Sequence, residues 1–420
     1  MRASTRARAA VLVAAWLVAL AFGGVARAAD GDLDPTFGGD GKVATPFPNG
    51  AFADAVAIQP DGMIVVAGAA APYSSTGSFA LARYDAGGVL DPAFGTNGKL
   101  TTAISPDGND QANEVVIQPD GKIVVAGTNT GDFEVVRYDG DGSLDATFGT
   151  GGIVVRDLSG GDESAYAAAL QPDGKIVVGG AVATGPWRSQ FALVRYDTDG
   201  TLDPTFGTDG IVMTKFGSGG SARAVVLQPN GKIVVAGTNG DGFALVRYLP
   251  DGSLDTTFGG DGKVAGPTFG GGWAVAVALQ PDGKIVAAGA YDFFNFAVAR
   301  YTVHGDLDPT FSHDGALTTD VGGGEQGAHA VVVLPSGKIV AVGFTGPHEG
   351  GEPPGRFVLV RYRANGVLDP VFSGDGKVYT KFDGGAGANA ATLQPDGKIV
   401  AVGGKGLYGD DGFAIARYIM

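Results

Sequence analysis

The sequence predicts an all-β protein: a seven-bladed β-propeller with four antiparallel strands per blade, the last blade closed by the N-terminal strand. Three observations lead there. Three short blocks each recur seven times, at a mean spacing of about 56 residues. Every repeat holds four strand-like segments divided by turn signals, and the two ends of the chain carry complementary parts of a single repeat.

The first block, QPDG or a variant of it, begins at Gln59, Gln118, Gln171, Gln228, Gln280, Leu334 and Gln394. The second, LDxxF, begins at Leu33, Leu90, Leu144, Leu202, Leu254, Leu307 and Leu368. The third is Arg-Tyr, at Arg83, Arg137, Arg195, Arg247, Arg300, Arg361 and Arg417. Within a unit, EVVIQ (114–118) and KIVVAG (122–127) flank Pro119-Asp120-Gly121. There Pro presets the first turn position and Gly supplies the left-handed residue of a bulged hairpin. FEVVRY (133–138) is the third strand. The connection after it carries a short helical turn capped by the Asp of LDxxF, and a Phe expected to plug the blade interface, worth roughly 1.5–3 kcal/mol when buried. IVVR (153–156) is the fourth strand.

A repeat of this size and strand content is that of a propeller blade rather than a solenoid turn, because neither end has an atypical capping unit. Residues 31–45 supply a connection and a fourth strand without the first three; FAIARY (413–418) is a third strand without a fourth. Together they complete one blade. The pattern QPDGKIVVAG, followed by FALVRYxxDGSLDPTFGxxGxV, resembles the delta-60 repeat of secreted or surface-associated bacterial proteins. The resemblance spans residues 29–420 in seven copies and implies a propeller of unknown function, with no catalytic residues to carry over. Ser312, Ser373 and Leu334-Pro335-Ser336 depart from the pattern at turns only.

Residues 1–28 read as a secretory signal peptide: Arg2, Arg6 and Arg8, an apolar run from Ala9 to Phe22, and Ala26-Arg27-Ala28 at the cleavage site. Its removal leaves one propeller domain, residues 29–420, exported to the periplasm or the extracellular space. Lys plus Arg then falls from 29 to 25 against 44 Asp plus Glu, a charge of about −19 that repels nucleic acid and anionic lipid. No later segment is apolar enough to span a membrane. Cysteine is absent, which excludes disulfides and thiol chemistry.

Candidate chemistry has to be weighed against structural roles. An Arg and an Asp present in every blade are expected to pair, Arg195 with Asp203 and, across the closure, Arg417 with Asp34, rather than to form an anion-binding ring. Asp139, Asp141, Asp145 and Asp197, Asp199, Asp203 have the alternate spacing of a calcium loop, without its bidentate Glu; turn aspartates bonding their own backbone account for them equally. No other cofactor is implied. A GxGxxG match at Gly322, Gly324 and Gly327 has no helix after it, and His304, His313, His329 and His348 lack metal or catalytic spacing.

The loops between second and third strands vary from 5 to 13 residues while the QPDG hairpins keep one length. Variable loops on a rigid scaffold are where binding sites sit. Their aromatics Tyr73, Trp187, Tyr291 and Tyr408, with Trp273 in a crossing, suit an extracellular glycan or protein partner; the alternative is that they cover the blade tops. The expected function is thus non-enzymatic recognition through the variable-loop face. A hydrolase or lyase with acids at the channel mouth, such as Asp162 and Glu163 or Asp410 and Asp411, and a structural surface protein, are the alternatives.

Overall fold

Seven four-stranded antiparallel sheets are arranged around a central axis in the computed structural model, which describes residues 29–71, 77–105, 109–129, 131–185, 188–217, 219–269, 271–291, 294–346, 355–406 and 411–420. The expected signal peptide lies outside the described residues. Blade 1 is Ala51–Ile58, Ile64–Ala70, Ser78–Tyr84 and Lys99–Thr102, ordered as in the sequence from the axis outward. The inner strands of blades 2 to 7 are Gln111–Ile117, Glu163–Leu170, Ser221–Leu227, Trp273–Leu279, Gln326–Val333 and Ala386–Leu393. Blade 7 is completed from the other end of the chain: Lys42–Thr45 pairs with Gly412–Tyr418, Lys42 opposite Ala416 and Thr45 opposite Phe413. Among the described residues there is no helix, so none is long and apolar enough to cross a membrane.

The second and third strands of each blade are almost wholly buried, as IVVAG and FALVRY require when both faces of a sheet pack on neighbouring blades. The QPDG hairpin forms as expected: in blade 1 the Gln59 N–H donates to Met63 O at 2.8 Å and the Gly62 N–H to Gln59 O at 2.9 Å. The LDxxF segment is tighter than a helical turn. It is a single turn closed by the Phe37 N–H on Asp34 O at 3.0 Å, with the Asp34 carboxylate accepting from Thr36 N–H and hydroxyl. The seven LDxxF phenylalanines are fully buried. Each ring lies against a Gly of the following blade, such as Gly88 beside Phe37, where a β-carbon would stand only 2.8 Å from the ring.

On this hairpin face every blade repeats one clasp. Arg83–Asp91, Arg137–Asp145, Arg195–Asp203, Arg247–Asp255, Arg300–Asp308, Arg361–Asp369 and Arg417–Asp34 are joined at 2.6–2.9 Å, including both pairs expected from the sequence. Each guanidinium also stacks on the LDxxF ring, 4.5–4.9 Å from its centroid. A further nitrogen reaches into the next blade, Arg195 to Pro250 O at 2.5 Å, Arg247 to Val303 O at 2.6 Å, and Arg417 to Ala86 O across the closure. Arginine is suited to this because one planar group can bond, stack and bridge at once.

Candidate functional site in the central channel

Each inner strand contains a three-residue step that begins with Ala: Ala53-Asp54-Ala55, Ala112-Asn113-Glu114, Ala165-Tyr166-Ala167, Ala222-Arg223-Ala224, Ala274-Val275-Ala276, Ala328-His329-Ala330 and Ala388-Asn389-Ala390. In all seven the pairing to the second strand skips the middle residue, which makes it a β-bulge. Opposite the leading Ala stands the Gly of the KIVVAG segment: Gly68, Gly127, Gly180, Gly237, Gly289, Gly343 or Gly403. A β-carbon at these positions would fall 1.8–2.1 Å from the carbonyl oxygen preceding that Ala. The bulge pushes that carbonyl into the space a side chain would occupy, so only Gly fits.

The consequence is a ring of seven side chains, one per blade, held at one depth. Asp54, Asn113, Tyr166, Arg223, Val275, His329 and Asn389 all line an axial cavity of about 490 Å³, with Gln111, Glu114 and Trp273. The start of each inner strand pairs with the end of the second strand, Ala51 with Ala70 in blade 1, so this end of the channel opens on the variable-loop face. The ring lies two residues below the strand start at Trp273, a depth of roughly 7 Å.

A hydrogen-bonded chain runs through four blades. His329 Nδ1 meets Asn389 Oδ1 at 3.2 Å; Asn389 Nδ2 donates to Asp54 Oδ1 at 3.0 Å; Gln111 Nε2 donates to Asp54 Oδ2 at 3.0 Å. Asn113 Nδ2 donates to Ala165 O at 2.7 Å, tying blade 2 to blade 3. The Arg223 guanidinium stacks on Tyr166 at 4.0 Å from the ring centroid. Its Nε is buried with no hydrogen-bond partner, and none of the described carboxylates forms an ion pair with it.

The ring lies deep in the protein yet is reached by solvent through the channel, and its titration reflects the depth. Burial raises the Asp54 carboxyl to about 7 against the opposing bonds from Gln111 and Asn389. Burial also raises Glu114 to about 7, against a bond from Val115 N–H. Burial lowers His329, partly countered by Asn389, so its imidazole is neutral at pH 7. Phe344 packs edge-on against the His329 ring at 5.1 Å and fixes it from behind. One channel therefore offers two carboxyls poised near neutrality, a neutral imidazole and an unpaired guanidinium. Together these could bind an anion beside hydrogen-bond donors or exchange a proton with a bound molecule.

The residues singled out from the sequence are placed as follows. Trp273 begins the inner strand of blade 5 and lines the channel. Tyr291 ends the second strand of that blade, edge-on to Phe269 at 6.3 Å. Tyr73, Trp187 and Tyr408 lie outside the described residues. The blade 3 loop is mostly sheet: strands Ile176–Gly185 and Arg188–Tyr196 extend over all but residues 186–187. The six turn aspartates do not converge on the channel. Asp141 and Asp199 accept from Ser143 and Thr201 in their own turns. Asp139 pairs with Lys122, Asp197 with Lys175 at 3.0 Å, and Asp145 and Asp203 with Arg137 and Arg195.

The ring of bulge residues was not read from the sequence. Two signals mark it: a Gly inside an otherwise apolar second strand, and an Ala-led step whose middle residue changes in almost every copy while its neighbours, Glu114 apart, are Ala.

Six segments, residues 59–94, 118–148, 171–206, 228–258, 280–311 and 334–372, match the model of a β-propeller domain of unknown function (DUF5122). No curated protein matches the chain. Among solved structures, a streptogramin B lyase superposes with a TM-score of 0.53 at 13% identity, covering 90% of this chain and 97% of that one. Virginiamycin B lyase from Staphylococcus aureus gives 0.53 at 11% identity, covering 90% and 98%. At such identities the likeness is one of fold. The chain is a β-propeller, and six of its seven units match that propeller-repeat model.

Proposed function

We propose that the protein is an exported recognition module, and that its ligand site is the central channel where it opens on the variable-loop face. The ligand is a small molecule or chain end bearing an anionic group. Arg223 carries this reading: a guanidinium in a site of ligand-binding size, stacked on Tyr166, its Nε buried and its charge not met by any described carboxylate. Asp54, Asn389 and Gln111 offer hydrogen bonds to the polar remainder, and Trp273 offers an apolar face at the rim. Export is supported by the N-terminal segment and by the excess of acidic over basic residues in a cysteine-free chain. The reading differs from one based on loop aromatics in placing specificity on the inner strands, with the loops governing access.

Melting in the presence of a panel of carboxylates, phosphates and acidic sugars, against neutral polyols, tests it. At least one anionic compound is expected to raise the melting temperature, and Arg223→Ala to abolish the rise. Stabilisation that survives Arg223→Ala, or none with any anion, removes the proposal. A catalytic reading of the same channel is favoured by Asp54 and Glu114 being held at about 7, where a carboxyl can give and take a proton. Turnover of a bound compound that is lost in Asp54→Asn, with binding retained, would select it.

A further inference from the structure

On the variable-loop face, outside the set of residues that line the channel cavity, three carboxylates from blades 2 and 3 come together: Asp132, Asp157 and Glu163 each present an oxygen within 4.8 Å of the others. Asp132 belongs to the second-to-third-strand loop of blade 2, Asp157 to the crossing into blade 3, and Glu163 opens the inner strand of that blade. The Thr128 hydroxyl ties the blade 2 loop to the start of the blade 3 inner strand, lying 3.0 Å from the Glu163 carbonyl and 3.3 Å from the Asp132 carbonyl.

Glu163 has a structural duty, because its Oε2 accepts from the Leu158 N–H at 2.7 Å and so secures the crossing. That duty does not need a charge. At the same place in blade 6, Gln326 Oε1 accepts from the Val321 N–H at 2.8 Å. The second oxygen of Glu163 is left over: the residue is 2% exposed, and Oε1 is buried with no hydrogen-bond partner. None of the described basic side chains pairs with any of the three acids, whereas every LDxxF aspartate on the opposite face is paired with an arginine. Three carboxylates this close and unmatched by protein charge call for a cation.

We infer that Asp132, Asp157 and Glu163 form a calcium site that pins the blade 2 loop to the entry of blade 3. The donor set is all carboxylate oxygen, the choice of a hard divalent ion. Calcium takes about six to eight oxygens in a flexible shell, whereas magnesium keeps most of its water and is usually held by one or two carboxylates, so three carboxylates from three segments suit calcium better. Water or backbone carbonyls complete the shell. The site is independent of the channel ligand; Asp157 Oδ1 accepts turn bonds from the Ser159 N–H at 3.0 Å and the Gly160 N–H at 2.5 Å, but unlike Asp139, Asp145, Asp197 and Asp203 it is paired with no Lys or Arg among the described residues.

Thermal melting of the full exported chain in EDTA, in 1 mM calcium chloride and in 1 mM magnesium chloride tests this. Calcium is expected to raise the wild-type melting temperature more than magnesium does. Glu163→Gln, which keeps the amide-like acceptor seen in Gln326, and Asp157→Asn should each lose that rise, while Asp139→Asn keeps it. Should Glu163→Gln fail to fold, the exposed Asp157→Asn alone decides. Equal melting in calcium and EDTA, an equal rise with magnesium, or a rise undiminished in Asp157→Asn overturns the site.

Discussion

Asp34 and Asp54 lie twenty residues apart in the chain and at opposite ends of the propeller's logic. Asp34 belongs to the clasp repeated on the hairpin face. Burial alone would raise its carboxyl, but bonds from Thr36 and Lys398 and the charge of Arg417 outweigh that and hold it at about 2. Asp54 sits at a bulge whose side chain is polar in some blades and aromatic or aliphatic in others. No described basic side chain forms an ion pair with it, and burial raises it to about 7. One fold thus handles the same side chain in two ways. Where a residue must be the same in every blade, the structure surrounds it with partners; where it differs from blade to blade, the structure leaves it facing a cavity with its chemistry uncommitted.

The comparison breaks most clearly at the clasp. Asp34→Ala removes the partner of both Arg417 and Lys398 and leaves a guanidinium only 5% exposed without its counter-charge. The cost expected is about 3–5 kcal/mol. Because Asp34 joins the two ends of the chain, the loss should appear in urea melting as an earlier transition of the whole ring. A loss below about 1 kcal/mol would mean that the clasp is incidental to closure.

A smaller effect of the opposite sign is expected in the channel. Asp34, depressed below its unfolded value of 3.8, contributes stability above pH 4 that is lost as pH falls toward 2. Asp54, raised above that value, binds a proton in the folded state between pH 4 and 7 that the unfolded chain has released. Its contribution therefore declines as pH rises through that window. Asp54→Asn should flatten this part of the stability profile, and at pH 8 should be more stable than wild type relative to the same comparison at pH 4. The gain is on the order of 1–3 kcal/mol once solvent reaching the channel is allowed for. Parallel profiles for the two proteins would show that Asp54 is ionised in the fold and that the channel is wetter than its depth implies.

How much of this was legible in the sequence follows from the same contrast. The propeller, its blade count, its closing strand and the pairs Arg195–Asp203 and Arg417–Asp34 could be read because repetition amplifies whatever every copy shares. The LDxxF aspartates, arginines and phenylalanines are visible as constants, and constants describe the scaffold. The channel ring has the reverse signature, since Asp54, Tyr166, Arg223 and His329 have nothing in common as residue types. Their equivalence appears only when the skipped pairing opposite Gly68, Gly180, Gly237 and Gly343 is seen. Loop length drew attention to the variable face, yet in blade 3 one of the longer apparent loops is largely strand. The acids of blades 2 and 3 are 25 and 6 residues apart in sequence, and adjacency of loops from different blades has no periodic signal to reveal it.

The finest test lies within the scaffold, where two blades depart from the rest: blade 3, whose Tyr196 faces Arg156, and blade 5. The buried Tyr of the Arg-Tyr block donates to a Thr at the end of the preceding blade's outer strand: Tyr84 to Thr45 at 2.7 Å, Tyr248 to Thr214 at 2.8 Å, Tyr362 to Thr319 at 2.7 Å and Tyr418 to Thr380 at 2.8 Å. For Tyr301 that place is taken by Gly266, where a β-carbon would stand 2.3 Å from the phenolic oxygen, and the hydroxyl has no partner among the described residues. Tyr84→Phe forfeits a buried hydrogen bond and strands the Thr45 hydroxyl, at a cost of about 1–2 kcal/mol. Tyr301→Phe removes an oxygen that was already unsatisfied, and should be neutral or stabilising by up to about 1 kcal/mol. Equal losses in the two variants would show that Tyr301 finds a partner, such as an ordered water in the gap beside Gly266. The rule that constancy marks partnered groups would then extend to blade 5, one of the two blades that break it.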